Sequence, residues 1–163
     1  MNYIKIEASS LSNGSGWRVV LWVSGCNHCC ENCQNPETWD INAGKEYTEE
    51  QKQKIMELLN HNYINGLTLS GGDPLHPHNR EAILDLVKEV KNTYSDKDIW
   101  LYTGYEYEQI QDLAILDYVD YVVDGPYVDS LRDVSLAFKG SSNQRIIDVK
   151  KSKAENKIIS VEL

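Results

Sequence analysis

The sequence predicts an α/β fold, a mostly parallel sheet shaped as a partial, open (β/α) barrel. Three observations predict it. Short apolar runs alternate with amphipathic helical stretches, the pattern of repeated β–α units with right-handed crossovers. The chain's 163 residues make one domain. That length falls short of the roughly 250 residues of a closed eight-stranded α/β barrel, so four or five units leave the barrel open.

Each element has its own signal. Arg18–Val23 (RVVLWV) gathers β-branched and bulky residues into one run, a buried strand. Thr48-Glu49-Glu50-Gln51 has the form of a capping box, and Ile55, Met56, Leu58 and Leu59 follow, so a helix starts near Thr48. Gly66–Ser70 (GLTLS) is a second strand. Glu81–Tyr94 spaces Ile83, Leu86, Val87, Val90 and Tyr94 as on a helix, with Pro77 just ahead of it. Ile99–Thr103 (IWLYT) is a third strand, Tyr105–Leu116 a third helix, and Val119–Val123 (VDYVV) a fourth strand. Beyond Asp124 the periodicity fades. Arg145–Val149 offers a further strand, Lys157–Val161 a weak terminal one, and 150–157 (KKSKAENK) reads as a solvated tail.

Composition excludes several functions. Sixteen Lys and Arg against 25 Asp and Glu give a net charge of −9, which argues against nucleic-acid binding, since that needs a basic face. Hydrophobic residues at 41% rule out a disordered chain. The opening MNYIKIEASSL has no apolar h-region, and no apolar run nears about 18 residues, so neither a secretory signal nor a membrane span is expected. The expected compartment is the cytoplasm, which is reducing.

That compartment gives the cysteines their meaning. Cys26, Cys29, Cys30 and Cys33 lie within eight consecutive positions, and no cysteine occurs elsewhere. Clustered so tightly they cannot staple distant segments, and in a reducing compartment they point to metal or redox chemistry. Cys26-x3-Cys30-x2-Cys33 places three soft thiolates on one loop after a strand, suited to a compact iron–sulfur cluster. Three ligands leave one iron open. A structural zinc site usually takes two separated ligand pairs. No second pair exists here, so a zinc adapter would crowd Cys29 or His28 into the same loop. Cys29, next to Cys30, reads as a bystander thiol directed away from the cluster, and His28 as a loop hydrogen-bonder.

The remaining polar features follow the other strands. Ser70-Gly71-Gly72-Asp73-Pro74 follows the second, Thr103-Gly104 the third and Asp124-Gly125-Pro126 the fourth. In a parallel sheet all fall on the carboxyl rim, where ligands bind. Taken alone, Gly-Gly-Asp-Pro is also an ordinary turn composition. It is not a phosphate loop, since no G-x-x-x-x-G-K occurs. Trp17, Trp22, Trp39 and Trp100 read as packing residues.

The cysteine spacing resembles the motif of the radical S-adenosylmethionine superfamily. Several blocks in order resemble more closely the activating enzymes of anaerobic ribonucleoside-triphosphate reductase, which are glycyl-radical-enzyme activases. They are Ser24-Gly25-Cys26-Asn27-His28, Asn35, Thr38-Trp39, Leu69 through Pro77, Thr103-Gly104-Tyr105, Val123-Asp124-Gly125 and Lys139-Gly140-Ser141-Ser142-Asn143-Gln144. The resemblance spans nearly the whole chain. It implies a [4Fe-4S] cluster on Cys26, Cys30 and Cys33, and S-adenosylmethionine bound by Asn32, Cys33, Gln34, Gly71, Gly72 and Asp73. No catalytic side chain is implied beyond the cluster and cofactor. In this resemblance Gly72 meets the methionyl amine through its backbone, and Asn32, Cys33 and Gln34 line the adenine side. Gln34 stands where an aromatic residue is common, so stacking on adenine gives way to an amide contact. Many superfamily members have Glu at Asp73; the resembled activases have Asp.

The implied partners are the large subunit of anaerobic ribonucleotide reductase, through a loop bearing a glycine, and a flavodoxin-type electron donor. Pro126–Arg145 is the candidate partner-facing surface, or else a plain irregular connection. For Asp124 the resemblance offers a small-cation site, while the residue itself reads as a turn cap. A radical enzyme acting on a small metabolite and a zinc-binding adapter are the competing functions. Gly72→Val is expected to keep iron yet lose the cofactor.

Overall fold

The strands that read most clearly form the centre of the sheet. In a computed structural model, which describes residues 1–163, β2 (Arg18–Val23), β4 (Gly66–Gly71), β5 (Asp98–Tyr102) and β6 (Tyr121–Asp124) are mutually parallel neighbours. Three antiparallel strands flank them: β1 (Asn2–Ser10) and β3 (Lys45–Glu46) on one side and β7 (Arg145–Asp148) on the other. The order is β3-β1-β2-β4-β5-β6-β7, and the ends do not pair. The sheet is therefore open, as expected, but mixed. The expectation of a mostly parallel sheet is corrected: it describes the central four strands, while half of the six strand pairings are antiparallel.

The two faces of the sheet do different work because side chains alternate with a period of two. Val19, Leu21 and Val23 of β2, Leu67 and Leu69 of β4, Ile99 and Leu101 of β5, and Val122 and Ile147 point one way and are almost fully buried. Against them pack α1 (Glu49–Leu59) through Ile55, Met56 and Leu59, and α2 (Arg80–Thr93) through Ile83, Leu86, Val87 and Val90. Each such aliphatic residue is worth about 1.5–3 kcal/mol of burial. The opposite face has no helix. Trp100, Val123 and Ile146 form a small second cluster there, joined by Tyr102, Tyr121 and Phe138.

Several expectations need correction. The helix over Tyr105–Leu116 breaks in two: α3 (Tyr107–Ile110) and a 3-10 turn at Ala114–Asp117. Leu113 between them is extended, with ψ 135°. The presumed tail is α4 (Val149–Glu155), capped by the Asp148 carboxylate accepting from Lys151 N–H. The expected strand over Lys157–Val161 is reduced to a single bridge, Ile147 to Ser160. The capping box at Thr48 is present, with Gln51 Oε1 accepting from Thr48 N–H at 2.8 Å.

Arg18 opens β2 on the helix-free face and is fully buried. Its guanidinium meets Asp98 Oδ1 at 2.7 Å and donates to Thr68 Oγ1 and the carbonyls of Ser15, Leu67 and Asp98. Asp98→Ala removes the countercharge and is expected to cost about 3 kcal/mol, read as a lower urea midpoint with an unchanged m-value.

Candidate metal centre and its cavity

The loop after β2 is closed at its base by backbone. Gly25 N–H donates to Thr38 C=O (2.6 Å) and Cys26 N–H to Trp39 C=O (3.1 Å). The Gly-Gly turn after β4 packs against the same base: Gly72 N–H donates to Val23 C=O (2.8 Å) and Asp73 N–H to Gly25 C=O (2.7 Å). Glycine is needed at both positions. Gly71 has φ +106°, and a Cβ there would stand 2.5 Å from the Val23 backbone. A Cβ on Gly72 would stand 2.6 Å from the Gly25 carbonyl oxygen and 2.9 Å from that of Thr38. Asn79, fully buried, adds bonds from Nδ2 to the Ser24 and Asp73 carbonyls.

Cys26, Cys30 and Cys33 are half-buried and border one cavity of about 330 Å³ on the carboxyl rim. That volume is typical of small-molecule sites. Cys29 is exposed, is not on its wall and adopts φ +50°. The Cys33 thiol receives the Asn35 N–H at 3.4 Å, and the nearby His28 and Tyr127 backbone amides favour the ionised forms of Cys26 and Cys30. Such donors stabilise sulfur that carries negative charge, as in iron–sulfur sites. Burial is the main cause that pushes the Cys26 thiol up to about 11, with Asp73, Cys30 and Cys33 adding to it.

Of the predicted cofactor residues, Cys33, Gln34, Gly71 and Gly72 lie on the cavity wall. Asn32 and Asp73 do not. Asn32 takes φ +56° and donates to Asp129 Oδ2 at 2.9 Å, tying the cysteine loop to the segment after β6. Asp73 is 1% exposed, and its carboxylate is turned into the protein. It accepts from Leu75 N–H, Thr103 Oγ1–H, Gly104 N–H and His28 Nε2–H, the last at 2.6 Å. His28 serves as a loop hydrogen-bonder. Asp124 is buried as a turn cap: it accepts from Tyr107 N–H (2.8 Å) and is paired with Arg145 (2.5 Å), which also reaches Glu108. The Arg145 guanidinium supplies a positive charge beside the buried Asp124 carboxylate.

Sequence reasoning missed other walls of the cavity. Tyr102 and Trp22 come from the helix-free face, Ser12 and Asn13 from the connection after β1, and Tyr127, Leu136 and Phe138 from the segment after β6. The alternation of Trp22 with Leu21 and Val23 could have flagged the first group; nothing local marks the rest. Trp39 is also on the wall, and its buried indole N–H has no protein partner.

No group of three or more His, Cys, Asp and Glu side chains converges as the ligands of a single metal ion would. The three thiols instead share one cavity with a free indole donor and two close-packed glycines, which fits a multi-iron cluster and an adjoining ligand. A family model described as a 4Fe-4S single cluster domain matches residues 12–147. The chain is 47% identical over 146 residues to the anaerobic ribonucleoside-triphosphate reductase-activating protein of Enterobacteria phage T4, covering 90% of this chain and 93% of that one. It is 45% identical over 150 residues to the protein of that name from Vibrio cholerae (90% and 97% covered), and 41% over 148 residues to that from Escherichia coli K12 (88% and 96%).

The fold and site thus define a 4Fe-4S single-cluster domain. The chain belongs to the family of anaerobic ribonucleoside-triphosphate reductase-activating proteins. No helix is long and apolar enough to cross a membrane.

The geometry at Gly72 changes the expectation for its substitution. A side chain there meets the base of the cysteine loop, so Gly72→Val is expected to lose iron as well as cofactor. Iron and sulfide analysis after anaerobic reconstitution checks this.

Proposed function

We propose that this chain activates anaerobic ribonucleoside-triphosphate reductase by generating its glycyl radical, as a radical S-adenosylmethionine enzyme. The observation that carries the reading is three thiols, and no fourth, on the wall of one cavity that Gly71 and Gly72 also border. Family membership supports it. When bound, a [4Fe-4S] cluster supplies one electron that cleaves S-adenosylmethionine to methionine and a 5′-deoxyadenosyl radical, which takes a Cα hydrogen from a glycine.

The protein's own tasks are holding, orienting and shielding. Cys26, Cys30 and Cys33 would hold three irons and leave the fourth open to the methionyl group. Gly72 would present backbone beside that group, and Cys33 and Gln34, on the same cavity wall, would border the adenine side. Trp22, Tyr102 and Phe138 form an apolar wall that limits water. The sheet is unpaired at both ends, and a segment of the reductase large subunit would complete the enclosure. Pro126–Arg145 would be the docking surface: Tyr127, Leu136, Phe138 and Lys139 reach the cavity from it, while Leu131 and Val134 are exposed. A flavodoxin-type protein would supply the electron, in the cytoplasm.

Anaerobic reconstitution with S-adenosylmethionine, a reductant and the reductase should yield a glycine-centred radical by electron paramagnetic resonance. Release of deoxyadenosine without the reductase would instead favour a metabolite enzyme, and one zinc per chain an adapter. Cys26→Ala, Cys30→Ala and Cys33→Ala are each expected to abolish cluster assembly and cofactor cleavage, whereas Cys29→Ala keeps its iron. Iron loss in Cys29→Ala with retention in Cys26→Ala would reverse the ligand assignment.

A further inference from the structure

His28 sits two residues after Cys26 and two before Cys30, yet its side chain bonds outside the loop. Nε2 reaches Asp73 on the neighbouring Gly-Gly turn at 2.6 Å. The ring stands edge-on to Tyr105, with centroids 4.7 Å apart and planes at 82°. It also lies close enough to Gly104 that a Cβ there would strike it, 2.4 Å from the ring. Asp73 in turn binds Thr103 Oγ1 (2.9 Å) and Gly104 N–H (3.0 Å) on the loop after β5. Three separate loops are thus joined at one buried carboxylate.

We propose that His28 and Asp73 form a clasp that positions the cysteine loop for cluster binding, His28 as the arm and Asp73 as the anchor. This rests on the iron–sulfur reading above. Asp73 has both oxygens engaged by four donors, is 1% exposed and is absent from the cavity wall, so its carboxylate is built to tie these loops together. His28 borders the cavity beside the cysteines, but its Nε2 is committed to that carboxylate and its ring is packed on Tyr105 and Gly104. Between the loop base at Gly25–Cys26 and the Asn32–Asp129 bond, this is the side-chain tie that fixes the stretch bearing Cys26 and Cys30.

The test uses the full chain reconstituted anaerobically with iron and sulfide. It measures the rate of iron release to a chelator and the electron paramagnetic resonance spectrum of the reduced cluster, with and without S-adenosylmethionine. His28→Ala should release iron at least about tenfold faster and broaden the reduced-cluster signal. His28→Gln, whose amide nitrogen can reach Asp73, should restore both. Should His28→Ala fail to fold, Thr103→Val removes one of the anchor's donors without altering the cysteine loop, and should speed release in the same direction. Release within twofold of wild type with an unchanged spectrum, or a Gln variant as impaired as Ala, overturns the clasp alone. A wild-type chain that takes up no iron overturns the clasp together with the iron–sulfur reading.

Discussion

Backbone meeting backbone at the rim is the constraint on which the site depends. The base of the cysteine loop lies between the Thr38–Trp39 stretch and the Gly71-Gly72 turn, and four main-chain hydrogen bonds of 2.6–3.1 Å join them. Ordering each loop residue costs about 1–2 kcal/mol of conformational entropy, so a loop bearing three thiols does not hold its shape on local contacts alone. Here its entry is fixed by β2, its exit is folded back on the entry, and a neighbouring turn packs against both. Such an approach leaves no room for Cβ atoms, which is why two consecutive glycines end β4. The glycines that suggest cofactor binding in the sequence are required first by the packing of the protein on itself.

The sheet divides labour between its faces in a way that depends on β–α connection. Parallel neighbours need crossovers, the crossovers carry α1 and α2, and the helices cover one face with an aliphatic layer. The opposite face is left to wider and more polar side chains: Trp22, Thr68, Ser70, Trp100 and Tyr102. Buried Arg18 closes that face at the amino end, with Asp98 and several carbonyls satisfying its guanidinium. The cavity opens at the carboxyl end of the same face. A rigid floor and a shaped mouth follow from one period-two alternation.

Legibility in the sequence followed burial. β2, β4, β5 and β6 are continuous apolar runs because helix packing demands them, and they were readable. β1 was missed because NYIKIEASS interleaves Lys5 and Glu7 with its apolar residues and lies half-exposed between β2 and the two-residue β3. α4 was missed because only Val149 and Ser152 of its seven residues are buried, so its helical face is too narrow to register as a period. At the site, cysteine spacing and the Gly-Gly turn were legible as chemistry. The direction of the Asp73 carboxylate was not, since that is decided by Thr103 and Gly104, thirty residues away, and by a histidine in another loop.

The segment after β6 is built on a different principle from the rest. It contributes little to the core beyond Phe138 against Trp100, with centroids 5.5 Å apart, and Phe138 itself holds φ +62°. Its order comes from its own polar bonds: Asn143 to the Pro126 carbonyl, Gln144 to the Gly125 carbonyl and the Gly140 N–H, and Val128 N–H to the buried Ser141 hydroxyl. Its root is held by the Arg145–Asp124 pair, and its near edge by Tyr127 and Asn32, which share Asp129. A segment with few apolar contacts and firm ends is drawn from the low-stability part of a fold. That is what a wall needs if it must keep water from a reactive cavity and still admit a polypeptide, since an apolar core element in its place could not yield without unfolding the sheet behind it.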